Sequence, residues 1–384
     1  MEENHPKKLL YFTVIDIEEK GFAGVAKKVL GQVEAFEELG YNVQLLCLAT
    51  SQLAMLHHGE KTVYEHFSVY NFHRRIQLYH HLSDLCCQER FDIVYIRYPL
   101  CDLWFYRNLA KLRPSVGKVI IEIPTFPYDD EICHNHNLMT TFCAWQDRHF
   151  RNKLHQYVDL IVTYGNVVET TIWGIPVCVI FNSVSAKKCH PLTRKPHDTL
   201  NFIVVANLMY HHRYDKVLRG ISEYIKRLDA DMRLRFNIVG DGPEKDNLMN
   251  LAKELGISDY VVFHGIQTGE KLMELYQVSD LGLVLFDQNS KHKSITQADA
   301  LKFSEYCSIG LPHVSSGIHR CYPEESSFFR IADTDEMKVE IFPLVEFAKT
   351  CNWEKAQKEM YEIVMNNMTW ERSMKRVLDF AVIK

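Results

Sequence analysis

Leu301-Lys302-Phe303-Ser304-Glu305-Tyr306-Cys307-Ser308-Ile309-Gly310-Leu311-Pro312-His313 is the stretch on which the reading of this chain turns. It reads as a helix with a hard stop. Leu301, Glu305 and Ser308 fall on one side at helical spacing, and Lys302 lies three residues before Glu305, so an ammonium and a carboxylate share a face. Gly310 ends the helix and Pro312 prevents its resumption. His313-Val314-Ser315-Ser316 is short and partly β-branched, as suits a strand leaving a helix in an α/β crossover. A carboxylate in such a helix can accept both hydroxyls of a ribose while the helix N-terminus holds phosphate, a combination that reads a nucleotide. On spacing alone, a Lys/Glu pair three apart is more commonly a solvated ion pair.

Upstream of this helix, strands are expected at 202–206, 236–239, 260–263 and 281–285, separated by helices around 217–228, 243–255 and 270–278. Val239-Gly240-Asp241-Gly242-Pro243 reads as a strand end, a glycine turn and a helix start. Residues 182–198 are polar, contain Pro191 and Pro196 and show no apolar period, which marks an interdomain linker. Before the linker the same alternation runs from the start. An apolar run at 9–15 is broken by Gly21-Phe22-Ala23-Gly24, a helical period follows over 25–39, and further strands are expected at 43–48, 91–98, 119–123, 158–163 and 177–180. The Gly21-x-x-Gly24 turn falls short of the Gly-x-Gly-x-x-Gly dinucleotide fingerprint, which counts against a nicotinamide oxidoreductase. In a parallel sheet ligands lie beyond the carboxyl ends of strands, so Arg97 and the loop Pro124-Thr125-Phe126-Pro127-Tyr128-Asp129-Asp130-Glu131 point toward a ligand. A stiff loop with solvated acids explains that segment almost as well. After Phe328 the chain is expected to be helical, with amphipathic stretches at 353–365 and 369–381, the second capped by Thr369.

Composition bounds the alternatives. The 384 residues are 47% hydrophobic, enough for two domains with ordinary cores. A formal net charge of -5 and no long Lys/Arg run argue against nucleic acid as the main partner. The eleven cysteines are scattered and odd in number, which fits reduced thiols rather than a disulfide scaffold. Cys133-His134-Asn135-His136 lacks a second ligand pair at zinc spacing, so no metal is expected. Residues 1–8 lead into an apolar run that soon reaches Asp16, too short and acidic for a secretory signal.

Several of these segments resemble the GT-B glycosyltransferases, and within them glycosyltransferase family four and its bacterial polysaccharide group. The opening stretch is similar to that fold's Leu-Lys-x-x-Glu-Tyr-x-x-x-Gly-x-Pro donor segment. Ile123-Pro124-Thr125-Phe126-Pro127-Tyr128-Asp129 resembles the group's Ile-Pro-Thr-Tyr-Pro-Tyr-Asp loop. Ile180-Phe181-Asn182-Ser183-Val184 resembles its junction Asn-Gly-Val, and His212-Arg213-Tyr214-Asp215-Lys216 its His-Gly-Tyr-Asp-Arg segment. The resemblance implies two doubly wound Rossmann-like domains facing a cleft: residues 1–190 on the acceptor side, joined by a returning helix at about 366–384, and residues 191–365 binding the donor.

It further implies a retaining, metal-independent hexosyltransferase. Such an enzyme would move a sugar from a nucleoside diphosphate, most often UDP, to a hydroxyl of a growing surface glycan. Glu305 would hold the ribose, Lys302 with His212 and Arg213 the diphosphate, and the backbone around Gly265 and Ile266 the base. Gln297, Asp299 and Asn207 would complete the donor side. Tyr128, Asp129 and Asp130 are the candidate catalytic residues, with Gly24 and Arg97 on the acceptor side. Gln297 stands where many relatives carry a glutamate, and Asn207 and His212 replace a common Arg and Lys, so a degenerate nucleotide-binding subunit is the alternative. No cofactor is expected beyond the nucleotide sugar. The expected location is cytoplasmic, with peripheral contact at the inner membrane face through Lys7-Lys8, His73-Arg74-Arg75, Lys111 and Arg113.

Overall fold

A computed structural model describes residues 6–19, 21, 23–64, 71–129, 138–165, 167–227, 233–286, 300–323, 325–332 and 337–383. The chain divides into two compact units, 1–181 with 369–384, and 182–368. The expected boundary at 190 is corrected by nine residues. Residues 182–190 belong with the second unit, where the Val184 N–H bonds Met368 O at 3.0 Å. At the other end residues 366–368 also stay with the second unit, and the first unit resumes at Thr369.

The first unit is a nine-stranded sheet in the order β4-β3-β2-β1-β5-β6-β7-β9-β8. Its parallel centre is β1 (Lys8–Asp16), β2 (Asn42–Ala49), β5 (Phe91–Arg97), β6 (Val116–Glu122), β7 (Leu160–Tyr164) and β9 (Ile175–Ile180). Helices α1 (Ala23–Glu38), α2 (Asn71–Gln88), α3 (Leu103–Leu112) and α4 (Leu138–Arg151) connect them. Central strands covered on both faces must be apolar throughout, and Leu9, Leu10, Tyr11 and Phe12 are all fully buried.

One edge departs from the expected pattern. β3 (Gln52–His57) and β4 (Glu60–Val63) form an antiparallel hairpin on β2, turned by His58 and Gly59 at φ 49° and 81°. At the other edge β8 (Thr171–Ile172) pairs antiparallel with β9. The C-terminal helix α11 (Trp370–Ile383) packs Trp370, Met374, Val377 and Leu378 among Leu9, Tyr11, Val29 and Phe36. Thr369 caps it, its hydroxyl accepting from the Arg372 N–H at 3.4 Å.

The second unit is a six-stranded, all-parallel sheet in the order β12-β11-β10-β13-β14-β15. The chain order is β10 (Leu200–Val205), α5 (Tyr214–Tyr224), β11 (Leu234–Val239), α6 (Lys245–Glu254), β12 (Val261–Gly265), α7 (Gly269–Gln277), β13 (Leu281–Val284), α8 (Leu301–Ile309), β14 (His313–Ser315), β15 (Phe329–Ile331), α9 (Phe342–Thr350) and α10 (Trp353–Asn367). The expectation of helix directly after Phe328 is corrected, because Phe329–Ile331 first adds a strand parallel to β14. α8 stops as expected. Gly310 takes φ 70°, and a Cβ there would meet Gln357 Cγ at 2.8 Å, so α8 ends in the one residue type that fits both turn and neighbour. Tyr306 ties α8 to the sheet, its hydroxyl donating to Ile203 O at 3.4 Å.

Candidate functional site

In the second unit the direction of strand addition reverses between β10 and β13. A doubly wound sheet binds its ligand beyond the carboxyl ends of the strands at such a switch point. Here that places the loop following β10 and the start of α8, the helix following β13, at one locus.

The loop after β10 is held by its neighbours. The Leu208 N–H bonds Asp241 O at 2.8 Å, Glu244 N–H bonds Leu208 O at 3.1 Å, and Gly240 N–H bonds Gly265 O at 2.8 Å. Gly242 has φ 152°, and a Cβ on it would lie 2.5 Å from Leu208 O and 2.7 Å from Asn207 Oδ1. Only glycine lets the loops after β10 and β11 lie against each other. Asn207 is exposed at this edge, as is Ile266 at 63%. Tyr210–His212 forms a single 3₁₀ turn, and Arg213, at φ 51°, starts α5.

Lys302 lies in the first turn of α8. Burial pushes its ammonium down to about 8, while Glu305 one turn on favours the charged form. Its field reaches the β10 loop: burial and then Lys302 lower His211, and burial, Lys302 and His211 together bring His212 down to about 2. The lowered value favours the neutral imidazole, so a donor-side role for His212 would be that of a hydrogen-bond donor. The Met209 N–H points at its Nδ1 at 3.4 Å, which leaves the proton on Nε2 as a donor. Arg213 makes a bidentate pair with Asp215 in the first turn of α5, at 3.1 and 3.2 Å. Lys302, Glu305, His211 and His212 are thus brought together, with Asn207 and Arg213 on the same loop. Gln297 and Asp299 lie outside the described residues.

On the first unit Arg97 and Tyr128 sit in two buried networks. Arg97 donates to Glu122 Oε1 at 2.6 Å, and the fully buried Glu122 also receives Tyr95 OH and Gln32 Nε2 at 2.8 Å and faces Lys28 Nζ at 3.4 Å. Burial alone would raise the Glu122 carboxyl, but Lys28 and Arg97 outweigh it and hold it below its ordinary value. Gly24 lies in the first turn of α1, exposed, with open space where a Cβ would stand.

The second network centres on Asp147, which accepts from Tyr98 OH at 2.6 Å, the Cys101 N–H at 2.7 Å and Tyr128 OH at 2.8 Å. Tyr128 is therefore buried and committed to a structural acceptor. Asp129 is bonded by Arg148 at 3.0 Å and Arg151 at 3.1 Å, and these outweigh its partial burial and keep the carboxyl ionised. Asp130 and the Cys133-His134-Asn135-His136 cluster lie outside the described residues.

His211, Glu122 and Asp147 were not foreseen. Glu122 carried a signal, a carboxylate inside the apolar run Val119-Ile120-Ile121-Glu122-Ile123; His211 and Asp147 carried none. Among the described residues no group of three or more His, Cys, Asp or Glu side chains could hold a metal ion. No helix among them is long and apolar enough to cross a membrane.

With this geometry in hand, comparison with solved structures defines the architecture. The chain aligns with sucrose-phosphate synthase of Thermosynechococcus elongatus at TM-score 0.65 and 10% identity, covering 97% of this chain and 98% of the other. A glycosyltransferase of Rickettsia africae aligns at TM-score 0.65 and 10% identity, over 98% of both chains. The pneumococcal O-GlcNAc transferase GtfA, solved with UDP and GlcNAc, aligns at TM-score 0.63 and 10% identity, over 99% of this chain and all of its own. The fold is GT-B, as the motifs implied.

Residues 187–325, which include both α8 and the β10 loop, match the family model of glycosyl transferases group 1. An 88-residue segment is 34% identical to the N-acetyl-alpha-D-glucosaminyl L-malate synthase of Bacillus anthracis, spanning 23% of this chain and 22% of that relative.

Proposed function

We propose that this chain is a glycosyltransferase that takes a sugar from a nucleoside diphosphate, a UDP-sugar foremost, and transfers it with retention to a hydroxyl of a growing bacterial surface glycan. The observation that carries this reading is Lys302. It is a half-buried cation at the switch point of a parallel sheet, with a carboxylate one turn on and two histidines of the β10 loop in its field. Such a cation gains most from an external anion. The group 1 match over these same residues and the UDP-bound relative support a nucleotide-sugar donor.

Breaking the anomeric bond develops negative charge on the leaving diphosphate. Lys302, the first amide groups of α8 and the Nε2–H of His212 stabilise it, and they need not reorganise to do so. Glu305 accepts the ribose hydroxyls, and Ile266 with the backbone at Gly265 covers the base. The leaving oxygen takes the acceptor's proton, so the reaction needs neither the paired carboxylates of a glycoside hydrolase nor a metal ion. Asp129, ionised between two arginines, serves to accept a hydrogen bond from the acceptor hydroxyl; Asp130, Gly24 and Arg97 remain the further acceptor-side candidates. Tyr128 acts indirectly, by fixing Asp147 and through it Arg151, one of the two arginines that hold Asp129. The reaction belongs at the cytoplasmic face of the membrane, where such glycans are extended.

The test is turnover. Purified protein incubated with a panel of nucleotide sugars should release nucleoside diphosphate from one of them, by transfer or slow hydrolysis. Nucleotide binding with no turnover of any donor would instead identify a binding subunit.

A further inference from the structure

Helix α4 of the first unit turns an apolar stripe outward. Its inner face contributes Ala144 and Asp147, whereas Met139, Phe142 and Trp145 are 71%, 52% and 59% exposed. With His149 they stand at spacings of three and four, one row along the helix. The rings form a nearly parallel series: Phe142 and Trp145 have centroids 6.0 Å apart at 21°, and Trp145 and His149 5.7 Å apart at 20°. Single exposed apolar residues are ordinary on a protein surface, but a contiguous row marks an interaction site.

The charge beside the row says what it meets. Arg148 is half exposed, and Lys153 Nζ lies 3.0 Å from His149 Nε2, at the end of the row. The one acid in residues 138–153 is Asp147, which is buried and bonded by Arg151 at 3.2 Å. In a chain whose formal net charge is -5, this helix is locally positive. Aromatic and apolar residues flanked by cations are the composition of a helix that lies flat in a bilayer interface with anionic headgroups.

Four of the cations expected from the sequence to make such contact are paired within the first unit, as Arg148 is with Asp129, but none of the four is placed by an apolar row. Lys8 pairs with Glu89, Lys111 with Asp84 and Arg113 with Asp159, while Arg75 bonds Tyr79 OH and the carbonyls of Pro99 and Leu100.

We propose that the outward face of α4 docks this protein on an anionic lipid surface, with Phe142 and Trp145 entering the interface and Arg148 and Lys153 meeting the headgroups. The 14-residue helix is about 21 Å long, enough to lie across several lipids. The inference names the surface through which the proposed enzyme would reach a lipid-linked acceptor. Its test needs no nucleotide, so it and the donor reading can fail separately.

The experiment is co-sedimentation of the full chain with vesicles of phosphatidylcholine, alone or mixed with phosphatidylglycerol, read together with tryptophan fluorescence. Binding to the mixed vesicles with a blue shift is expected. Trp145→Phe should keep the binding and lose most of the shift. The double variant Phe142→Ser, Trp145→Ser should lower partitioning at least about tenfold while unfolding midpoint and UDP affinity stay unchanged. The proposal is overturned if mixed vesicles do not bind, or if the double variant binds as well as the parent. It is also overturned if the stripe instead mediates a soluble dimer, or takes an oligosaccharide without lipid.

Discussion

Glu122 in the first unit, fully buried, and Lys302 in the second, half-buried, are charges whose surroundings treat them in opposite ways. Glu122 faces two cations, Lys28 and Arg97, and accepts hydrogen bonds from Tyr95 and Gln32, so its carboxyl stays below its ordinary range despite complete burial. For Lys302 burial outweighs Glu305, the one charge-favouring neighbour among the described residues, and its ammonium drops to about 8. A saturated buried charge ties strands together. An under-compensated one is costly until an anion arrives, and that cost makes it a binding site.

The contrast can be broken most forcefully at Glu122. Glu122→Ala leaves Lys28 and Arg97 buried without their counter-charge, and should lower stability by about 3–5 kcal/mol in denaturant unfolding. A loss under about 1 kcal/mol would show that the network is not structural. Glu305→Ala should do the reverse, weakening nucleoside diphosphate binding by about 2 kcal/mol in calorimetry with little change in unfolding midpoint.

The Lys302 ammonium predicts a pH dependence. Only the charged form holds diphosphate well, so affinity should fall about tenfold per pH unit above about 8, and Lys302→Met should flatten the profile. For the unliganded protein the sign follows from a folded value below the unfolded one. Between about 8 and the ordinary lysine range the unfolded chain binds more protons, so stability should rise with pH across that window. Asp129→Asn should have the smallest effect on nucleotide affinity, within about 0.5 kcal/mol, while transfer slows; unchanged transfer would remove Asp129 from the acceptor side.

Much of this was legible from one dimension. Continuous apolar runs marked the central strands, because a strand covered on both faces leaves no room for polar residues, and Gly310 marked the end of α8 because only glycine suits its backbone there. The β3–β4 hairpin escaped notice for the converse reason: every residue of β4 is exposed, so no alternation betrays it. β15 is three residues long, and two of them face solvent.

On the candidate site, Lys302, Glu305 and His212 were singled out by motif, but the protonation of His212 depends on burial and on a lysine 90 positions away, which no local pattern encodes. The bonding of Tyr128 was hidden for a similar reason. Its partner Asp147 lies 19 residues on, across residues that separate β6 from α4. The Phe142–Trp145 row was visible as apolar residues at helical spacing, and only the exposed surface distinguishes it from a core-facing stripe.

Calorimetric titration of the purified chain with UDP, GDP, ADP and NAD, without added metal and repeated on Glu305→Ala, tests the central claim most directly. One nucleoside diphosphate, UDP foremost, should bind the parent and bind the variant about 30-fold more weakly, the equivalent of about 2 kcal/mol. Binding of NAD alone, no binding at all, or an affinity untouched by the loss of Glu305 would contradict it.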